Sequence, residues 1–174
     1  MRHRNEQGIG LIEIVVYAGL LAVISMLLVN FLMQVINTYY IVRAEREVIG
    51  HGRSAIETVH KTIVQAQSVY APTSTFGITT GQLSLVTAQG ATAEHTTAYV
   101  DFWVENGQLW MRREGESPLA LTGTSVNVTQ FRLERIVQAL GVQAVRTTLH
   151  IEYARPKFAA STTLYATSAI RGNY

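Results

Sequence analysis

The chain of 174 residues contains no cysteine. That excludes disulfide frameworks, Cys-ligated zinc, iron–sulfur clusters and thiol catalysis. Charge is scarce as well: Asp, Glu, Lys and Arg make up 15% of the residues, against roughly 25% in soluble domains. Aspartate occurs once, as Asp101, and no proline precedes Pro72. The formal net charge is only +2 despite a pI near 9.0, so the charge balance lends no support to a dominant polyanion-binding role. Low charge together with a 48% hydrophobic share excludes disorder as the main state, since disorder needs the reverse combination. A positive mean hydropathy beside an ordinary apolar fraction points instead to one local apolar segment.

That segment is at the front. From Ile9 to Met33 the chain reads IGLIEIVVYAGLLAVISMLLVNFLM, 25 residues with a single charge, Glu13. As a helix it spans ~37 Å, enough to cross a ~30 Å hydrocarbon core. Arg2 and Arg4 precede it, against Glu6, and the next cation is Arg43. The positive-inside rule then places the N-terminus in the cytoplasm and the remainder outside. An ordinary secretory signal has a 7–15-residue apolar core and a small-residue cleavage site; this run is too long, and no Ala-x-Ala directly follows it. A carboxylate inside the run costs ~2.5–3.5 kcal/mol at mid-helix and less near the edge, where Glu13 falls. Such a residue is either functional or snorkels to the headgroups.

The residues around Glu13 decide between these. Gly8-Ile9-Gly10-Leu11-Ile12-Glu13, behind a short basic leader and ahead of about twenty apolar residues, resembles the class III signal of type IV prepilins and type II secretion pseudopilins. The resemblance implies cleavage after Gly8 by a membrane-embedded prepilin peptidase and N-methylation of the new terminal residue, Ile9. It also implies that Glu13 of one subunit faces the N-terminal amine of a neighbour and sets axial register. Pairing is favoured there because a lone buried amine and a lone buried carboxylate are each costly. Gly10 stands where the family more often has Thr or Ser. The proline that many filament-forming relatives carry in the membrane half is missing, Asn30 being the one late polar break.

Beyond the apolar run, Ile49, Gly52, Ile56, Val59, Ile63, Ala66 and Tyr70 recur at spacings of three and four, with Arg53, Glu57, Lys61 and Gln65 between them. That is one face of a helix. The pattern predicts a near-continuous helix from about Ile9 to about Val69, apolar all round in its first half and amphipathic in its second. Gly50 and Gly52 are weak points, each costing ~1 kcal/mol relative to Ala, and a bend is expected there.

The remainder reads as strands. Gln82–Thr87 alternates; Gly90–Thr97 is small and polar, a loop. Ala98, Val100, Phe102 and Val104 share one face of a period-two pattern. Asn106-Gly107 is a strong hairpin signal leading into Gln108–Arg113. Val126–Leu133 shifts phase near Gln130, which predicts a bulge. Val145 to Tyr153 alternates most cleanly, and Phe158–Ile170 closes the sheet. The expected fold is α+β: a long N-terminal helix whose second half packs on an antiparallel sheet of about four to six strands. The order of the ENGQLW hairpin, the PLALTG turn, the VTQFRLERI strand and the RTTLHIEY–TTLYATSAI pair is similar to minor pilins and to J-type minor pseudopilins. The family's major pseudopilins commonly hold calcium in an Asp-rich C-terminal loop; with Asp101 alone, set in a strand, the resemblance favours a minor subunit.

Catalytic constellations are absent. Glu57 and His60 make half of a di-iron bundle motif without a second copy, and His60 reads as a solvated helix residue. Gly50-His51-Gly52 lies in a helical pattern and is no phosphate loop. His150 and Glu152 share a strand face and read as solvated sheet surface. Asn127-Val128-Thr129 matches a glycosylation acceptor but falls within a strand. Arg112, Arg113, Arg132, Arg135 and Arg146 interleave with Trp110 and Phe131, as a DNA-contacting surface would require. Glu105, Glu114, Glu134 and Glu152 dilute that field, and the reading goes against direct DNA binding.

The organisation expected is therefore a leader over residues 1–8, a membrane and filament-core helix over 9–33, its amphipathic continuation over 34–70 and a β domain over 71–174. The resemblance implies a non-enzymatic structural subunit of a pilus or pseudopilus, with no metal and no cofactor. Its implied location is the bacterial inner membrane, single-pass, before transfer to a filament. Its implied partners are the prepilin peptidase and methylase, other pilin or pseudopilin subunits, the assembly platform and ATPase, and membrane lipid before assembly. A major pilin of the shaft and a signal-anchored membrane protein that never polymerises are the alternatives.

Overall fold

A computed structural model describes residues 10–88, 97–137, 143–155, 157 and 159–170. The architecture is α+β: one long helix, α1 (Leu11–Gln65, 55 residues), and two antiparallel sheets. The chain divides into two compact units, the first ending at Tyr40 and the second beginning at Ile41.

In the second unit the helix buries Ala44, Val48, Gly52, Ala55, Val59 and Ile63. These positions advance by four, four, three, four and four, close to the 3.6-residue turn. The buried face thus starts earlier than the sequence pattern suggested and is one residue out at its beginning: Val48 is 1% exposed, whereas Ile49 is 42% exposed. The helical assignment runs without interruption through Gly50 and Gly52. Gly52 is there for closeness. A Cβ on it would stand 2.7 Å from Leu164 Cδ1 and 3.4 Å from Ile151 Cδ1. The missing side chain lets the helix backbone lie directly on the sheet.

The helix ends at Gln65, four residues short of the expected limit at Val69. The chain beyond it is captured by a neighbour: β1 (Ser68–Val69) pairs antiparallel with β2 (Leu83–Thr87), and the Gln67 and Tyr70 amides donate to Val86 O and Ser84 O at 2.8 and 2.9 Å. Tyr70, the last member of the predicted stripe, therefore lies outside the helix. Only a single 3-10 turn, Ala71–Thr73, follows, with Pro72 near its start, where a missing N–H costs nothing; the α-helix does not resume.

The strands form two sheets where one was expected. The first has the order β1-β2-β3-β4-β5, with β3 (Ala98–Glu105), β4 (Gln108–Arg113) and β5 (Leu119–Ala120). The second is β6-β7-β8, with β6 (Val126–Val137), β7 (Gln143–Tyr153) and β8 (Ser161–Ala169). The β3–β4 hairpin turns at Asn106 and Gly107, both left-handed at φ 50° and 72°, the conformation such a two-residue turn demands. The expected bulge is present: pairing between β6 and β7 slips between Val128 and Gln130. The predicted PLALTG turn contains β5, which pairs with Trp110 and Met111. The last strand begins at Ser161; Phe158, where it was expected to start, lies outside the described residues, as does most of the Gly90–Thr97 loop.

The two sheets and the second half of α1 share one core, containing Phe102, Leu83, Leu85 and Leu109 from the first sheet, Phe131, Leu133, Leu149 and Ile151 from the second, and Val48, Val59 and Ile63 from the helix. Burial of each such side chain contributes ~1.5–3 kcal/mol. The outer edge of β6 is covered by the 77–81 segment, with Gly77 and Gly81 amides donating to Leu133 O and Phe131 O at 2.9 and 2.7 Å.

Candidate functional site

Through the first unit and on to Val42, every large apolar side chain from Leu11 onward is at least 40% exposed. A soluble monomer rarely leaves an apolar patch of more than a few hundred Å² uncovered. This stretch of α1 is long and apolar enough to span a membrane, and a candidate spanning helix near the N-terminus is compatible with a single-pass membrane protein.

Glu13 is the one charge in this surface and sits in the first turn of α1. Its amide donates to Gly10 O at 2.9 Å, and its carboxylate Oε1 accepts a 3.4 Å hydrogen bond from the Tyr17 hydroxyl. A carboxylate in the first turn also lies favourably in the helix dipole. Tyr17 is the residue that sequence reasoning missed; the signal was its placement four residues after Glu13, one turn along the same face. Gly8 and Ile9, the expected cleavage and methylation positions, lie outside the described residues. The chain matches no protein-family model, no curated protein and no solved structure.

The remaining singled-out residues are distributed over the second unit. His60 is exposed, yet it is tied to the sheet, its Nδ1 lying 2.6 Å from Ser168 Oγ on β8. Glu57 pairs along the helix with Lys61 at 2.9 Å, and that hydrogen bond holds its carboxyl below the usual carboxylate range. His150 bridges Thr163 Oγ1 at 2.6 Å and Glu152 Oε1 at 3.2 Å. Glu47 is held below the ordinary range first by the hydrogen bond from Arg43 and then by one from Ser125. Among the described residues no three His, Asp or Glu side chains converge as metal ligands.

The arginine and aromatic set is not assembled into one surface. Arg112 on β4 reaches Asp101 at 3.0 Å; Arg132 on β6 and Arg146 on β7 reach Glu134 at 3.2 and 3.6 Å. They belong to different sheets, and Phe131 is fully buried, so it offers no stacking platform. Asp101 accepts from Ser84 Oγ at 2.7 Å as well as from Arg112, which makes the single aspartate a strand-to-strand tie. A surface groove of about 680 Å³ is lined by Asn106, Gln108, Asn127, Glu152, Tyr153 and Ser161 among others; the one carboxylate among its described lining residues is the partner of His150.

Proposed function

We propose that this chain is a structural subunit, of the minor kind, of a type IV pilus-like or type II secretion pseudopilus filament. The observation that carries the reading is the pairing of two unlike halves within one helix. Leu11–Val42 exposes its apolar side chains throughout, with a lone carboxylate at Glu13, whereas the stretch from Ala44 onward is packed on an antiparallel α+β domain. An apolar helix of this kind has two stable surroundings, lipid or a bundle of similar helices, and a subunit moved from membrane to filament exchanges one for the other. Glu13 gives the exchange direction. In lipid its charge is disfavoured; in a bundle the carboxylate meets the free amine released at Ile9 of a neighbour, and each relieves the other. The prepilin peptidase and methylase, companion subunits, and the assembly platform with its ATPase are the partners this requires. In the inner membrane the globular domain lies outside and the leader lies in the cytoplasm.

The test is co-expression with a prepilin peptidase, followed by intact mass and N-terminal sequencing. Chains beginning at a methylated Ile9, and no longer produced when Gly8 is replaced by a bulky residue, are the expected result. Chains still beginning at Met1 beside an active peptidase would overturn the reading and leave a signal-anchored membrane protein.

A further inference from the structure

The three-stranded sheet has one covered edge, β6, and one edge, β8, against which no described residue pairs. The amides of Tyr153 and Ile170 donate to Ala160 O and Gln143 O, both at 2.8 Å. Hydrogen-bonded pairs alternate along an antiparallel ladder. In the observed register, from Ala144↔Ala169 to Glu152↔Ser161, the even-numbered residues of β8 therefore exchange backbone bonds with β7. Ser161, Thr163, Tyr165, Thr167 and Ala169 direct their N–H and C=O groups outward. The even-numbered side chains turn to the helix side: Leu164 lies against Gly52, and Ser168 meets His60.

Natural edges are guarded by charge, proline, bulges or shortness. The nine residues of β8, STTLYATSA, have no charge and no proline, and their pairing with β7 shows no register slip. The edge strands of the other sheet are only two residues long. An unguarded row of alternating donors and acceptors is complementary to one kind of chemistry, another extended polypeptide backbone. Two β8 edges could meet, but such a contact is isologous and closes as a dimer, whereas a subunit in a line of subunits needs a heterologous contact.

We propose that the outer edge of β8 is a strand-addition site, filled on assembly by an extended segment of a different polypeptide, the neighbouring subunit. This rests on the filament reading. The test is amide hydrogen exchange on the full-length processed protein, alone in detergent and within isolated filaments. Slowing on the order of tenfold or more at the amides of Ser161, Thr163, Tyr165, Thr167 and Ala169 in filaments alone is expected. Thr167→Pro removes one outward N–H while leaving the β7 ladder intact, and Thr167→Lys keeps the N–H but adds charge; both should lower incorporation while the purified proteins keep their thermal midpoint. Filaments in which these five amides exchange as fast as in detergent overturn the strand-addition site and leave the filament reading standing. Concentration-dependent protection in detergent overturns it in favour of self-pairing. A processed chain that never enters filaments, with the five amides fast throughout, overturns both.

Discussion

Replacing Gly52 and Gly50 by alanine, one at a time, separates packing from helix propensity within a single turn. A methyl added at Gly50 would meet nothing within 4 Å, whereas the same methyl at Gly52 would stand 2.7 Å from Leu164 Cδ1. Each substitution gains about 1 kcal/mol of helix propensity. At Gly50 that gain is realised in full. At Gly52 it is opposed by overpacking of about 1–3 kcal/mol. The lower end applies, because the obstructing atom is the tip of a half-buried leucine that can rotate away. The expected result is a Gly50→Ala protein stabilised by about 1 kcal/mol and a Gly52→Ala protein close to unchanged, so the pair differ by ~1 kcal/mol. For a folded unit of this size the difference is a separation of roughly 3–5 °C in Tm. Thermal unfolding of the full chain in detergent, followed by near-ultraviolet circular dichroism, reads it directly. Adding Leu164→Ala to Gly52→Ala should remove the overpacking. Equal stabilisation by the two alanines would refute the claim that the helix backbone rests on β7 and β8 at Gly52.

Three other outcomes follow from residues described above. Glu13→Gln should leave membrane insertion intact and lower the share of the protein recovered in sheared filaments several-fold, read by immunoblot; unchanged recovery would remove the carboxylate from assembly. Glu47, whose carboxyl Arg43 and Ser125 hold below its ordinary value of 4.5, contributes stability that is complete above that value and fades as pH falls below it. The contribution is about 0.3–0.5 kcal/mol for a pair of this spacing, and Arg43→Ala should flatten the Tm-against-pH curve between about pH 5 and 3, the window in which carboxylates titrate. Asp101→Ala should cost about 1–3 kcal/mol by leaving the buried Ser84 hydroxyl without its acceptor, whereas Asp101→Asn, which keeps an oxygen, should cost less; urea unfolding of both compares them.

What the sequence made legible was whatever repeats. The amphipathic half of α1, the alternation in β3 and β7, the Asn106-Gly107 turn and the slip near Gln130 all follow local rules that need no partner. Features that depend on a distant neighbour were missed or displaced. Strands β1 and β5 are two residues each and have no periodicity to detect; they exist because Val86 and Met111 offer free ladder positions. The division into two sheets depends on which edges meet. Ile49 and Val48 are equally apolar, and only contact with the sheet selects Val48. At the candidate site, Glu13 stood out as the one charge in a long apolar run. Tyr17 did not, because an aromatic residue in such a run is unremarked until its hydroxyl is seen turned toward the carboxylate. Phe131 looked available for stacking and is interior, because the bulge before it sets the phase of the rest of β6.

The buried positions of α1 repeat: Ala44, Val48 and Gly52 are followed eleven residues later by Ala55, Val59 and Ile63. Eleven residues are close to three whole turns, about 16.5 Å of rise. Length in this helix is therefore quantised. Inserting one residue before Gly52 would turn Ala44 and Val48 by about 100° about the axis, taking them off the sheet. An insertion of eleven would return the same face to the same side. Seven residues, two turns, serve as well, since Ala55 and Val59 follow Val48 and Gly52 at that spacing; changes of length within the packed part of the helix should therefore come in sevens or elevens, much as a toothed rack engages only at whole teeth.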